Sequence, residues 1–142
     1  MAETIKKMLV WIGCVLFCLF FWVVMIRGCV GAEPERVLTA SWYSIESLKQ
    51  EGTLKYSKGR MANGQAFSDN ELTCANGLYP MGSVLRVTDV TSGKSVIVRT
   101  TDRIGKRFSK TRVDLSVTAM EALAGKQGLL QGLVKVRVER IA

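Results

Sequence analysis

Val84-Leu85-Arg86-Val87-Thr88-Asp89-Val90-Thr91-Ser92-Gly93-Lys94-Ser95-Val96-Ile97-Val98 decides the fold class of this chain. Val84, Leu85, Val87 and Val90 fall at strand spacing, Thr91-Ser92-Gly93-Lys94 supplies the turn, and Val96, Ile97 and Val98 resume the apolar pattern. Two short β-rich runs about a glycine-containing turn predict a β-hairpin. Farther on, Val134, Val136 and Val138 alternate with Lys135, Arg137 and Glu139. A period of two predicts a strand with one face buried. Gly59, Gly64, Gly77, Gly82, Gly93 and Gly105 stand at turn positions, as in a small barrel with tight connections. Helical signals are confined to two stretches, one around Asp69 to Ala75, opened by Ser68 or Asp69, and one from Ser116 to Ala124, closed by Gly125. The remainder reads as strand or loop, so the class is mainly β.

Upstream of this pattern the composition changes. Met8 to Ile26 is 19 residues without a charge, preceded by Lys6 and Lys7. At helical rise it measures about 28 Å, the thickness of a bilayer core. Nearly every face is apolar, which favours a leader over a buried core helix. Three fates follow. Val30-Gly31-Ala32 offers small residues for signal-peptidase cleavage, the whole run can stay as a single-pass anchor, and Ile26-Arg27-Gly28-Cys29 partly matches a lipidation site at Cys29. In each case the positive-inside rule keeps Lys6 and Lys7 in the cytoplasm and exports the body to the envelope. Glu33 to Val37, containing Pro34, reads as a linker. The expected organisation is therefore residues 1–32 as signal peptide or membrane anchor, 33–37 as linker and 38–142 as the folded domain.

The 142 residues support one core of ordinary size. There is no histidine, which excludes Ser-His-Asp and Cys-His nucleophiles, histidine bases and histidine-containing zinc sites. Of the four cysteines only Cys74 lies in the body, so no disulfide within it and no four-cysteine metal site can form. Carboxylates are scattered without calcium-loop spacing, and neither a metal nor any other cofactor is expected. From Glu33 onward 17 Lys and Arg face 11 Asp and Glu, a net +6 that suits a polyanionic partner. An exported domain without a base-reading motif is not expected to bind nucleic acid.

Ala40-Ser41-Trp42-Tyr43, Met61-Ala62-Asn63-Gly64-Gln65, Leu72-Thr73-Cys74-Ala75-Asn76, Arg86-Val87-Thr88, Val98-Arg99-Thr100-Thr101-Asp102-Arg103 and Arg112-Val113-Asp114-Leu115-Ser116 follow one another in this order. Together they resemble the rare lipoprotein A family, from about Leu38 to Ile141. The resemblance implies a six-stranded double-psi β-barrel with one or two short helices. It further implies peptidoglycan glycan strands as substrate and lytic transglycosylase activity, with an inert, expansin-like glycan-binding module as the alternative. In the family, Glu usually follows the Asn-Gly block, His follows the Leu-Thr-Ala-Ala block, and Asn-Asp-Arg-Gly-Pro forms the active loop. Here those places hold Gln65, Asn76 and Thr101-Asp102-Arg103-Ile104-Gly105. Amides keep hydrogen-bonding shape but cannot gain or lose a proton. Family members often add a C-terminal peptidoglycan-binding module; with the last expected strand closing at Ala142, none is expected here.

A lytic transglycosylase needs one acid to protonate the glycosidic oxygen, whose conjugate base then helps the sugar's own 6-hydroxyl close an anhydro ring. The resemblance puts Asp102 and Asp114 in that role, beside one groove. Against it, an Asp in a turn such as Thr101-Asp102-Arg103 is ordinarily a solvated turn former, and Asp114 can cap the following helix or pair with Arg112. Gln65, Asn76 and Arg103 are candidate substrate contacts. Trp42 and Tyr43 have flat faces for sugar rings, although one of two adjacent strand residues should point into the core. Cys74, without a partner to activate it, reads as a small buried residue. The basic loop Lys106 to Arg112 can attract carboxylates.

Overall fold

The computed structural model describes residues 34–142, so the leader expected over residues 1–32 lies outside the described residues. Six strands close into a barrel in the order β1-β5-β2-β4-β3-β6: β1 (Arg36–Tyr43), β2 (Thr73–Ala75), β3 (Val84–Asp89), β4 (Ser95–Asp102), β5 (Arg112–Ser116) and β6 (Val134–Arg140). Parallel pairs β1–β5 and β2–β4 interlock with antiparallel neighbours, the double-psi arrangement. β1 starts at Arg36, inside the stretch read as linker.

The hairpin forms as its sequence predicts, with Val84 opposite Arg99 and Thr88 opposite Ser95. β3 ends one residue before Val90, which is exposed, because Asp89 takes over the turn. Asp89 accepts hydrogen bonds from the Thr91 N–H (2.9 Å) and the Ser92 hydroxyl (2.5 Å). The Ser92 bond, ahead of the backbone bonds, holds its carboxyl below the ordinary value. In β6, Val134, Val136 and Val138 are buried and Lys135 and Arg137 exposed, as their alternation predicts. These valines meet Leu85, Val87, Val98, Val113 and Leu115 in one core.

The helical expectations need correction. Thr73–Ala75, read as the end of a helix, is strand β2, and all three residues are buried. Three residues are too few to show a period, and the stretch is fixed by ladders to β4 on one side and β5 on the other. Asp69 caps no helix of its own; its carboxylate accepts from the Ile45 N–H (2.8 Å) in the first turn of α1 (Ile45–Gln50). That helix and the next, α2 (Thr53–Ser57), were not foreseen. Ser44 and Ser47 cap α1 reciprocally, a serine pair without the acidic residue that usually advertises such a box.

The long helix α3 (Val117–Gln131) starts at the predicted Ser116 cap but does not finish at Gly125. There the backbone takes φ 63° and ψ −165°, a conformation open essentially only to glycine, and the chain turns and coils on to Gln131. Met120 and Leu123 of the first segment are fully buried in the core.

Candidate active site

The site is assembled by the shortest strand. In β2, Ala75 lies opposite Asp114 of β5 on one side and Asp102 of β4 on the other, and Ser41 of β1 lies opposite Asp114. Ser41, Asp114, Ala75 and Asp102 thus form one row across four strands. Val113 and Leu115 are completely buried, so Asp114 between them faces out of the barrel. Two interstrand spacings separate the aspartate backbones, about 10 Å. A regular ladder does not bring Asp102 into this row. Cys74 pairs with Thr100 and Ala75 with Asp102, leaving Thr101 as an extra residue. This bulge sets Asp102 level with Asp114.

Residues 61–65 clamp Asp102. Its Oδ1 accepts the backbone N–H of Ala62 (2.9 Å) and of Arg103 (2.8 Å), while the Asn63 N–H bonds to the Thr101 carbonyl (3.1 Å). Orientation is therefore fixed through one oxygen, and Oδ2 is left for other work. Gln65 rides on the same clamp, exposed, with its Oε1 accepting from Asn63 Nδ2 (2.6 Å). Its Nε2 remains available as a donor.

Asp114 is half-buried, and burial pushes its carboxyl above the ordinary value. A hydrogen bond from Ser41 pulls it down, the charge of Glu51 pushes it up, Arg112 pulls it down and Asp102 adds a smaller upward push. Tyr43 is buried beneath Phe67, ring centroids 6.0 Å apart, and shares a hydrogen bond with Thr73 (3.1 Å between oxygens). Burial drives its hydroxyl up to about 12, with Cys74, Asp102 and Asp114 adding to the rise, so it stays a neutral phenol.

Four candidates from the sequence are engaged within the protein, Tyr43 as just described and three more. Asn76 is fully buried: its Nδ2 donates to Thr100 Oγ1 (2.8 Å) and Cys74 Sγ (3.9 Å), and its Oδ1 accepts from the N–H of Leu78 (3.0 Å) and Tyr79 (2.8 Å). All four hydrogen-bonding positions are used, so nothing is left for a substrate. Trp42, opposite Leu115, packs against the core and donates to the Leu129 carbonyl (3.2 Å), which turns it away from the row of Ser41 and Asp114. Arg103 is exposed, but its guanidinium ties the carbonyls of Asn76 (3.3 Å) and Tyr79 (2.8 Å). Cys74 is buried as expected, and burial raises its thiol to about 11. Ser41 and Glu51 were missed. Ser41 sits in a quoted motif, overshadowed by its aromatic neighbours; Glu51 carries no motif at all. Among the described residues no cluster of three or more His, Cys, Asp or Glu is placed to hold a metal.

Residues 35–138 match the family model described as "Lytic transglycolase". The chain belongs to this lytic transglycolase family. A relative from Rickettsia bellii, named endolytic peptidoglycan transglycosylase RlpA, is 38% identical over 100 residues, covering 70% of this chain and 40% of its own length. The protein of the same name from Pseudomonas aeruginosa strain UCBPP-PA14 is 38% identical over 123 residues, covering 81% and 35%. The chain thus spans well under half the length of these curated relatives. Among solved structures, the Streptomyces papain inhibitor superposes with TM-score 0.58 at 17% identity over 80% of this chain and 99% of its own. A Clavibacter michiganensis expansin superposes with TM-score 0.54 at 18% identity, covering 77% and 51%. At such identities these neighbours share the barrel of this lytic transglycolase domain, and its sequence relatives carry the family.

Proposed function

We propose that this domain binds peptidoglycan glycan strands along the outer row and cleaves them as an endolytic lytic transglycosylase, with Asp114 as the proton-transfer residue. The observation that carries the reading is the bulge at Thr101, which sets Asp102 beside an Asp114 that retains its proton more strongly than an ordinary carboxyl. Protonated Asp114 gives its proton to the glycosidic oxygen as the bond from that oxygen to C1 breaks. The resulting carboxylate takes the proton of the 6-hydroxyl as that oxygen bonds to C1 and closes the anhydro ring. No water is consumed, and Asp114 ends as it began. Asp102, fixed through Oδ1, offers Oδ2 to the developing positive charge at C1, and Gln65 Nε2 supplies a hydrogen bond to the sugar. This reverses the weighting that family position alone gives the two aspartates. The relatives' name supports the activity, and the uncharged run from Met8 to Ile26 supports export to the envelope, where this substrate lies.

Mass spectrometry of the soluble products from purified sacculi tests the reading. Wild-type protein is expected to release fragments with anhydro ends, and Asp114→Asn and Asp102→Asn none. The second reading, an inert glycan-binding module, is favoured by the amide at Gln65 and the burial of Asn76, neither of which can move a proton. Absence of fragments from wild type after prolonged incubation, with sacculus binding retained, would establish it instead.

A further inference from the structure

The register that builds the aspartate row also builds a second row, two residues along the strands and about 7 Å away. Thr39 lies opposite Lys135 of β6 on one side and Arg112 of β5 on the other. Arg112 shares the outward face of Asp114, and its guanidinium lies 4.3 Å from the centroid of the Phe108 ring, with that of Arg107 at 5.5 Å. Stacking on a ring holds the planar fork in one orientation. Two other arginines on the barrel's outer face are ion-paired, Arg86 with Glu139 (2.5 Å) and Arg137 with Glu35 (3.5 Å). Among the described residues Arg107, Arg112 and Lys135 enter no such pair, and the Arg112 guanidinium, whose charge acts on Asp114, donates no hydrogen bond.

We infer that Arg112, Lys135 and Arg107 form an anion subsite that takes a carboxylate carried by the glycan strand, one sugar substituent away from the bond presented to Asp102 and Asp114. The inference rests on the proposed glycan-binding groove. A pre-oriented guanidinium with free donors recognises a planar carboxylate through paired N–H bonds, and the lysine adds a point charge. The carboxylate has two sources in such a polymer: the acidic ether substituent of the sugar itself, or the peptide attached to it.

Equilibrium binding of the full-length protein separates the possibilities without any mutant, using peptide-free strands, the same strands with their carboxylates amidated, and peptide-bearing strands. Binding to peptide-free strands that falls about tenfold on amidation assigns the subsite to the sugar's own carboxylate. Preference for peptide-bearing strands with no effect of amidation assigns it to the peptide. Equal affinity for all three overturns the proposal. In Arg112→Gln and in the double variant Arg107→Gln/Lys135→Gln, whose residues are exposed, the discrimination is expected to disappear while some binding to amidated strands remains. Discrimination that survives in both variants also overturns it. Because these measurements read binding, loss of turnover alone would sink the proposed activity and leave the subsite standing.

Discussion

At the scale of single residues, two substitutions separate chemistry from architecture. Asp114→Asn removes the proton that the proposed mechanism transfers and is expected to lower kcat/KM at least about 100-fold. Its pH signature follows from the cause of the shift. In the proposed mechanism protonated Asp114 is the reactive acid, so the wild-type rate is expected to fall as pH rises through a value displaced above the ordinary carboxylate figure of about 3.9. Stability moves in the same window. The folded state holds the Asp114 proton more tightly than the unfolded chain, so this contribution is complete below the ordinary value and is lost as pH rises through the raised one. Asp114→Asn is therefore expected to melt higher than wild type at neutral pH and level with it below about pH 3.5, as calorimetry at the two pH values would show. A mutant that melts lower at neutral pH would mean that the charged carboxylate is stabilised. Asn76 acts in the opposite sense. Asn76→Ala strands the N–H groups of Leu78 and Tyr79 in the interior, at an expected loss of about 3 kcal/mol in denaturant unfolding. Denaturation unchanged within error would contradict its assignment as a structural residue.

Whole elements show why local sequence was only partly legible. The β3–β4 hairpin and β6 announced themselves because each buries one face and exposes the other in a run long enough to display its period. β2 is held only by strands distant in sequence, so its three residues carried no period and its neighbouring turn residues imitated a helix start. The bulge at Thr101 is invisible for the same reason, since it exists only as a difference in register between β4 and β2. Gly125 was a true signal wrongly resolved: it breaks α3, yet six more residues coil beyond it, capped by the Gly132 N–H on the Gly128 carbonyl (3.0 Å). A Cβ at Gly125 meets nothing within 4 Å, so a substitution there tests backbone strain alone. Gly125→Ala is expected to destabilise the protein by about 1–3 kcal/mol in denaturant titration. A smaller effect would show that the kink relaxes into a continuous helix. Gly77 makes the opposite kind of demand. A Cβ there would stand 2.4 Å from Ser109 Cβ and 2.9 Å from its Cα, so the basic loop is seated by the lack of a side chain.

For the molecule as a whole, the sequence exposed the fold through the order of its motifs, while the site depended on how the closed barrel aligned them. Motif order brought out Asp102, Asp114 and Gln65; barrel closure drew Trp42 and Asn76 inward and added Ser41 and Glu51. Closure also leaves the body's charge distributed over its outer face, with a net +6 from Glu33 onward and ion pairs that include Arg86–Glu139 and Arg137–Glu35. A surface of this kind attracts a polyanionic wall over distances that salt shortens, the screening length falling from about 10 Å at 0.1 M to about 3 Å at 1 M. On the proposed function, binding and cleavage are separable properties of one barrel. Asp114→Asn keeps the net positive field and the outer row, and is expected to lose the proposed proton transfer. Co-sedimentation with sacculi should retain this variant at low ionic strength as firmly as wild type, release both as salt rises towards 1 M, and yield no anhydro products at any salt. A variant that fails to sediment at low salt would mean that Asp114 contributes to holding the strand as well as to cutting it.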